Sequence, residues 1–227
     1  MNSINYDGWE LKFFDEATKF RKYQFSLIAD HLKGNAGEIG PGNGIFLENY
    51  KTLVENIDLF EPSINFLNGL KEKKIANAKI YNSPFIEKPL FYDTLLYLDV
   101  LEHIEEDYNE LKKAYKSLKK GGKLIVNVPA YQILFSNFDR DVNHYRRYNK
   151  KYFSNLIKSF EFSQIDMKYY DSLGFILSLG SKIFEQDYRK NFKVKIKIWD
   201  KLIPFSKILD LITLYSFGKS LLAVCTK

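Results

Sequence analysis

The sequence predicts an α/β fold, a mostly parallel sheet with helices on both faces. Three observations predict it. Short apolar runs alternate with amphipathic stretches along the chain. The first run ends in a glycine loop, Gly40-x-Gly42-x-Gly44, with Glu38 ahead of it. The second ends at Glu61-Pro62, which puts a carboxylate about 20 residues after Gly40, where a strand-end acid can accept from ribose hydroxyls.

Taken in order, Phe13, Phe14, Ala17, Phe20, Leu27, Ile28 and Leu32 recur near helical spacing, so residues 11–32 predict a leading helix and residues 1–33 a helical cap. Residues 36–40 read as a short buried strand. Apolar residues in 45–50 follow at helical spacing. Residues 53–60 read as a second strand, stopped by Pro62. Residues 78–81 make a third, and 94–98 a fourth that is apolar enough to be buried on both faces. Asp107 opens a helix with Glu110 at capping-box spacing, and Gly121-Gly122 closes it. Residues 123–128 form a fifth strand before Pro129, 162–169 a sixth and 220–225 a seventh.

The chain has 227 residues, which predicts one domain, and 45% hydrophobic content supports a substantial core. A lone cysteine, Cys225, lies in an apolar run. It excludes a disulfide framework, fits a reducing cytosol and reads as an inert core thiol. No basic-then-apolar leader opens the sequence and no apolar run approaches a membrane span, so a cytoplasmic location is expected. The net charge of +6 is spread along the chain and reads first as a solvated surface.

The loop spacing separates two cofactor classes. Dinucleotide sites use G-x-G-x-x-G and a helix N-terminus for pyrophosphate. Here Glu38 would repel a pyrophosphate, whereas it suits a ligand carrying an amino group and a sulfonium. S-adenosylmethionine meets that demand.

Glu38-x-Gly40-x-Gly42-x-Gly44, Glu61-Pro62-Ser63 and Asp99-Val-Leu-Glu-His-Ile104 resemble class I S-adenosylmethionine-dependent methyltransferases. Asn127–Ala130, His144–Tyr148 and Gly218–Leu222 extend the likeness to small bacterial methyltransferases linked to surface-polysaccharide pathways. The resemblance implies a Rossmann-like seven-stranded sheet whose last strand is antiparallel, inserted between the fifth and sixth. It implies S-adenosylmethionine as cofactor and S-adenosylhomocysteine as product. It assigns Glu38, Gly40, Gly42, Gly44, Glu61, Pro62, Asp99 and Val100 to the cofactor. Arg21 or Tyr23, on the leading helix, would approach the methionyl carboxylate; the alternative reading is that Tyr23 packs and Arg21 is solvated. Asn82-Ser83 stands where the family often has an Asp, leaving Ser83 or Asn82 to accept from the adenine amino group.

In that fold a short connection joins strands six and seven, but here residues 171–219 intervene, too many for a hairpin. Val194, Ile196 and Ile198 alternate with Lys193, Lys195 and Lys197, and residues 205–216 read as an apolar-faced helix. The insertion is read as a substrate lid or wall, with a peripheral membrane contact or a homodimer surface as the alternatives.

Methyl transfer to a hydroxyl needs alignment and removal of one proton, work that suits a histidine. Of three histidines, His31 reads as a surface residue. His103 follows the fourth strand and His144 follows the fifth, so both are candidate bases. Glu102 and His103 with another histidine could grip a divalent metal, but the remaining ligands are not evident and no metal is assigned. Arg146 and Arg147, flanked by Tyr145 and Tyr148, read either as a handle for an anionic acceptor or as partners of Asp139 or Asp141. Arg146, Arg147 and Tyr148 are therefore the candidate acceptor-binding residues. Asp99-Val-Leu-Glu102 lacks the Pro-Pro-aromatic pattern of base-flipping amino methylases, which argues against DNA, and no RNA-binding signature is present. The expected acceptor is a hydroxyl of a sugar or lipid-linked small molecule. A quinone or aromatic hydroxyl, RNA, and a cofactor-binding regulator without turnover are the alternatives.

Overall fold

Seven strands form one sheet: β1 Asn35–Ile39, β2 Asn56–Phe60, β3 Ala78–Tyr81, β4 Tyr92–Leu98, β5 Leu118–Pro129, β6 Gln164–Tyr170 and β7 Ser220–Thr226. The structure is a computed structural model and describes residues 8–184 and 189–227. Residues 1–7 of the expected cap and 185–188 of the insertion lie outside the described residues. The strand order is β3-β2-β1-β4-β5-β7-β6. β7 runs antiparallel to both β5 and β6, and the other pairings are parallel. This is the seven-stranded arrangement that the resemblance implies.

Successive residues of a strand point to opposite faces, and here both faces are covered. In β4, Leu96 joins one core with Phe20, Tyr23, Leu59 and Trp199, while Leu95 and Tyr97 join the other with Phe60, Leu111 and Val126. Cys225 is fully buried in the second core, where burial pushes its thiol up to about 12 and keeps it inert.

The helices are α1 Leu11–Phe14, α2 Thr18–Ser26, α3 Ile64–Glu72, α4 Asp107–Ser117, α5 Asn137–Asp141, α6 Lys150–Ile157, α7 Ser172–Phe184 and α8 Phe192–Ile212. The single leading helix expected over 11–32 is broken. α1 closes at Asp15, whose amide still donates to Leu11 O while its carboxylate accepts from Asn43 of the glycine loop, and Ala17, at ψ 66°, interrupts the helix before α2. The helical spacing over 45–50 is a 3₁₀ turn, Phe46–Asn49, whose three-residue period aligns Leu47 with Tyr50, both fully buried.

Two expectations around α4 are corrected. No capping box forms, because Asp107 accepts from the Tyr148 and Tyr152 hydroxyls and Glu110 from Tyr97 and Lys113. Gly121-Gly122 does not end the helix, since Leu118 is already extended and Gly121, at φ 76°, turns the chain inside β5.

Most of the described part of the insertion is helical, in α7 and α8, and turns lead from α8 to β7. The alternating lysines and aliphatics lie on α8, a single helix running to Ile212 with Pro204 inside it. α8 packs on α2: the Phe20 amide donates to Asp200 and the Tyr23 hydroxyl to Asp210.

Candidate active site

The strand order reverses between β1 and β4, and a crevice opens there at the carboxyl ends of the parallel strands. It widens into a cavity of about 590 Å³, a volume suited to a nucleoside-sized ligand with room beside it.

The glycine loop forms its floor. Gly40 holds φ 62° and donates its amide to Phe60. A Cβ there would stand 2.8 Å from Val100, so only glycine fits. Gly42, at φ 54°, donates its amide to Glu61 Oε2 at 2.9 Å, and Ser63 donates to Oε1 at 2.8 Å. Each Glu61 oxygen keeps a second acceptor position, the arrangement a vicinal diol requires. Burial raises the Glu61 carboxyl, and the two amides oppose that.

Glu38 is 3% exposed and lines the same cavity. Burial pushes its carboxyl up to about 7, against the Tyr50 hydroxyl, which donates to Oε2 at 2.5 Å, and the field of Arg21. Across the crevice, Asp99 sits at φ 58°, an uncommon conformation for a non-glycine residue. It accepts from Asn127 at 2.8 Å and lies 3.9 Å from Arg21. Burial raises its carboxyl, and Arg21 draws it back.

A second group of polar residues closes the far wall. The 3₁₀ turn Leu101–His103 follows β4, and the segment 136–148 follows β5. The Tyr145 amide donates to Glu102 O and stitches the two together. His103 and His144 stack edge to face at 4.6 Å between ring centroids. His144 Nδ1 lies 2.9 Å from Asp139 Oδ1, and Nε2 lies 3.9 Å from Glu102 Oε1. Asp139 also takes a fork from Arg147, Nε at 2.8 Å and Nη2 at 3.0 Å. Burial alone would raise the Asp139 carboxyl, but His144 and Arg147 overcome it and hold the group well below its usual range. His103 behaves differently. Burial, with His144 beside it, pulls its imidazole down to about 3, so it is neutral and a poor proton acceptor. Ligand atoms of Glu102, His103 and His144 lie within 4.8 Å of one another, which brings together a candidate set for a divalent ion that the sequence left incomplete.

Of the expected cofactor residues, Glu38, Gly40, Gly42, Glu61, Pro62, Asp99 and Val100 line the cavity. Gly44, Ser83 and Tyr23 do not. A Cβ at Gly44 would meet Leu70, so this glycine serves packing. Ser83 Oγ is buried without a partner, and the Asn82 amide turns back to the Glu61 and Pro62 carbonyls. Tyr23 is committed to Asp210 at 2.7 Å, so of the two leading-helix candidates Arg21 is the one that lines the cavity.

Of the expected acceptor residues, only Arg147 lines the cavity. Arg146 pairs with Asp107 at 2.9 Å and donates to the Ile104 and Glu105 carbonyls. Tyr148 is fully buried, donating to Leu101 O and Asp107. Both tie the 136–148 segment to the start of α4. His31 sits beside Lys123, away from the cavity.

Sequence reasoning missed Phe138, Trp199 and Lys219, all cavity-lining. Lys219 Nζ lies 4.6 Å from the Trp199 ring centre, and burial lowers its ammonium pKa. A usable signal existed. An antiparallel seventh strand begins at the edge where the parallel strands end, and Ser220 indeed pairs with Pro129.

The family model described as a methyltransferase domain matches residues 17–165. Among curated proteins, the chain is 33% identical over 116 residues to the tRNA U34 carboxymethyltransferase of a Sulfurovum species, covering 46% of this chain and 38% of that protein. The curated relatives it matches are covered over only 38% and 57% of their own length. Among solved structures, it resembles a SAM-dependent methyltransferase of Archaeoglobus fulgidus at TM-score 0.65 and 16% identity, over 96% of this chain and 98% of that one. It also resembles Haemonchus contortus phosphoethanolamine N-methyltransferase 2 in complex with S-adenosyl-L-methionine, at TM-score 0.64 and 16% identity, over 97% of this chain and 58% of that one. The chain belongs to the methyltransferase domain family, in the class I S-adenosylmethionine-dependent group that its glycine loop and strand order mark.

Proposed function

We propose that the protein transfers the methyl group of S-adenosylmethionine to a hydroxyl oxygen of a sugar or lipid-linked small acceptor. The observation that carries this reading is one cavity lined at one end by Glu38, Gly42 and Glu61 and at the other by His144, which leans on Asp139. The residues present fit the cofactor. Gly40 and Gly42 leave a cradle that side chains would fill, Glu38 offers a carboxylate to an ammonium, and Glu61 keeps acceptor positions for a ribose diol. When bound, S-adenosylmethionine supplies a methyl group already activated on a sulfonium.

The chain's own residues then have two tasks. The first is alignment, since proximity and orientation can supply much of the rate. The aromatic wall of Phe14, Phe138 and Trp199 can hold an apolar or ring-shaped acceptor, and Arg147 and Lys219 offer positive charge to an anionic one. The second is proton removal. Asp139 fixes Nδ1 of His144 as the donor nitrogen, which leaves Nε2 to accept the hydroxyl proton as the oxygen becomes nucleophilic. His103, held neutral, packs against that ring and positions it.

An RNA acceptor is the second reading, favoured by the tRNA-modifying relative and the net charge of +6. Calorimetry with S-adenosylmethionine and S-adenosylhomocysteine tests the donor. Micromolar binding is expected for the wild type and none for Gly42→Val, and a wild type that binds neither compound would overturn the reading. Tritiated methyl groups given to a cell extract test the acceptor: label in the solvent-extractable glycolipid fraction supports the proposal, and label in RNA replaces it. Transfer that stops on chelation and returns with Mg²⁺ or Mn²⁺ would make Glu102, His103 and His144 metal ligands and remove the base role.

A further inference from the structure

The outer face of α8 carries Val194, Ile198, Lys201, Phe205, Ile208 and Ile212. Their spacing alternates between four and three residues, so they form one continuous stripe on a helix of 3.6 residues per turn. Val194, Ile198, Phe205, Ile208 and Ile212 are exposed by 53%, 52%, 63%, 57% and 73%. The opposite face, with Ile196, Trp199 and Ile203, is buried against the domain. Leu211 and Leu214 extend the exposed apolar surface at the helix end, and Leu214 is the most exposed of them at 84%. A soluble surface scatters its apolar residues singly; a stripe of this length needs a cover.

Charge decides what covers it. α8 carries Lys193, Lys195, Lys197, Lys201 and Lys207, all exposed. Its two carboxylates point the other way: Asp210 is buried among the Tyr23 hydroxyl and the Asp171 and Ser172 amides, and Asp200 accepts from the Phe20 amide. Glu16 reaches Lys193 and Lys197 from the link between α1 and α2. The stripe itself presents lysine and no acid. Glu16 is already held by Lys193 and Lys197, so a second copy of this face would bring an excess of ammonium groups together, and like charges oppose pairing. A bilayer of anionic lipid supplies both missing parts, an apolar interior for the stripe and phosphates for the ammonium groups, with the lysine stems lying along the boundary. No described helix is long and apolar enough to cross a membrane. The geometry is that of a helix lying in the interface plane.

We propose that the outer face of α8 docks the protein on an anionic membrane surface, with Phe205, Ile208 and Ile212 inserted and Lys197 and Lys201 on lipid phosphates. This does not depend on which acceptor is methylated or on whether methyl transfer occurs.

Vesicle flotation of the full chain tests it. Vesicles of phosphatidylcholine with about one-third phosphatidylglycerol should carry the protein, and phosphatidylcholine alone should carry at least about tenfold less. Raising the salt should weaken the anionic binding. The Phe205→Ser/Ile208→Ser variant should lose binding by at least about tenfold, while keeping its circular dichroism and its affinity for S-adenosylhomocysteine, because neither residue lines the cavity. Lys197→Glu/Lys201→Glu should abolish the preference for the anionic lipid. Wild-type protein left unbound by anionic vesicles, or bound equally by the serine variant, would overturn the proposal. So would a wild-type dimer in sedimentation equilibrium that the serine variant converts to monomer, since the face would then be an interface between copies.

Discussion

His144 Nδ1 lies 2.9 Å from Asp139 Oδ1, and the same carboxylate is clamped by the Arg147 guanidinium. An ionised carboxylate there favours the proton on Nδ1, the arrangement that the proposed base role of Nε2 needs. His144→Ala is expected to lower kcat by about 10²- to 10⁴-fold with cofactor affinity unchanged, as loss of a positioned base does. Asp139→Asn should also lower kcat, through the wrong tautomer. His103→Gln should cost far less, because its imidazole is already a poor acceptor. Steady-state methyl transfer beside calorimetry of S-adenosylhomocysteine reads both quantities, and equal losses for the two histidines would contradict the assignment.

Asp139 also sets an acid limit on the fold. Its folded-state value is depressed, so its contribution to stability is present above the unfolded value near 3.8 and is lost as pH falls through the folded one. Glu38 has the opposite sign. Its carboxyl rises from 4.5 to about 7, so its contribution is full below 4.5 and is lost as pH climbs through about 7. That difference corresponds to about 3 kcal/mol at neutral pH. A cationic ligand beside Glu38 favours the ionised form, so binding should release a proton near pH 6 and strengthen as pH rises toward 7. Calorimetry in buffers of different ionisation enthalpy measures that proton. Glu38→Gln should flatten both the stability profile between pH 4.5 and 7 and the pH dependence of binding. A wild type whose affinity is constant over that range would show that Glu38 does not face the ligand's charge.

Arg21 and Tyr23 sit two residues apart on α2 and do different work. Arg21 faces the cavity, 3.9 Å from Asp99, whereas Tyr23 donates to buried Asp210 on α8. Tyr23→Phe should destabilise the fold by about 1.5 to 3 kcal/mol, the range for a buried hydrogen bond to a charged group, and leave cofactor affinity within about a factor of two. Arg21→Ala should weaken cofactor binding by about tenfold or more, with a smaller change in melting temperature. A urea titration and a binding titration on each variant separate the two roles.

The strands, the glycine loop and the acid after β2 were legible in the sequence because each rests on local pattern. Strand period, positive φ and a proline stop are set within a few residues. The departures have another origin. Tyr23, Arg146 and Tyr148 were expected at ligands, yet their partners, Asp210 and Asp107, lie on α8 and α4. No local rule pairs residues so far apart. Likewise the capping-box spacing at Asp107 was real, but distant hydroxyls claimed the side chain. His103 and His144 were found as separate candidates; only the fold showed that they touch and that burial lowers the basicity of the first.

Lys219 is the residue through which the acceptor's charge can be read. It immediately precedes β7, in the cavity wall, with its ammonium over the Trp199 ring and its amide donating to Asp171 O. Burial disfavours the charged form, so the group gains from any anion placed beside it. If the acceptor carries a phosphate or carboxylate, Lys219→Met should raise its KM by about tenfold or more, leave kcat near the wild-type value, and not change the affinity for S-adenosylhomocysteine. That split marks binding energy expressed equally in ground and transition states. A neutral acceptor gives the opposite result, an unchanged KM, because removing a half-buried ammonium that the acceptor does not use costs the complex nothing. Initial rates measured at several acceptor concentrations on wild type and Lys219→Met decide between them.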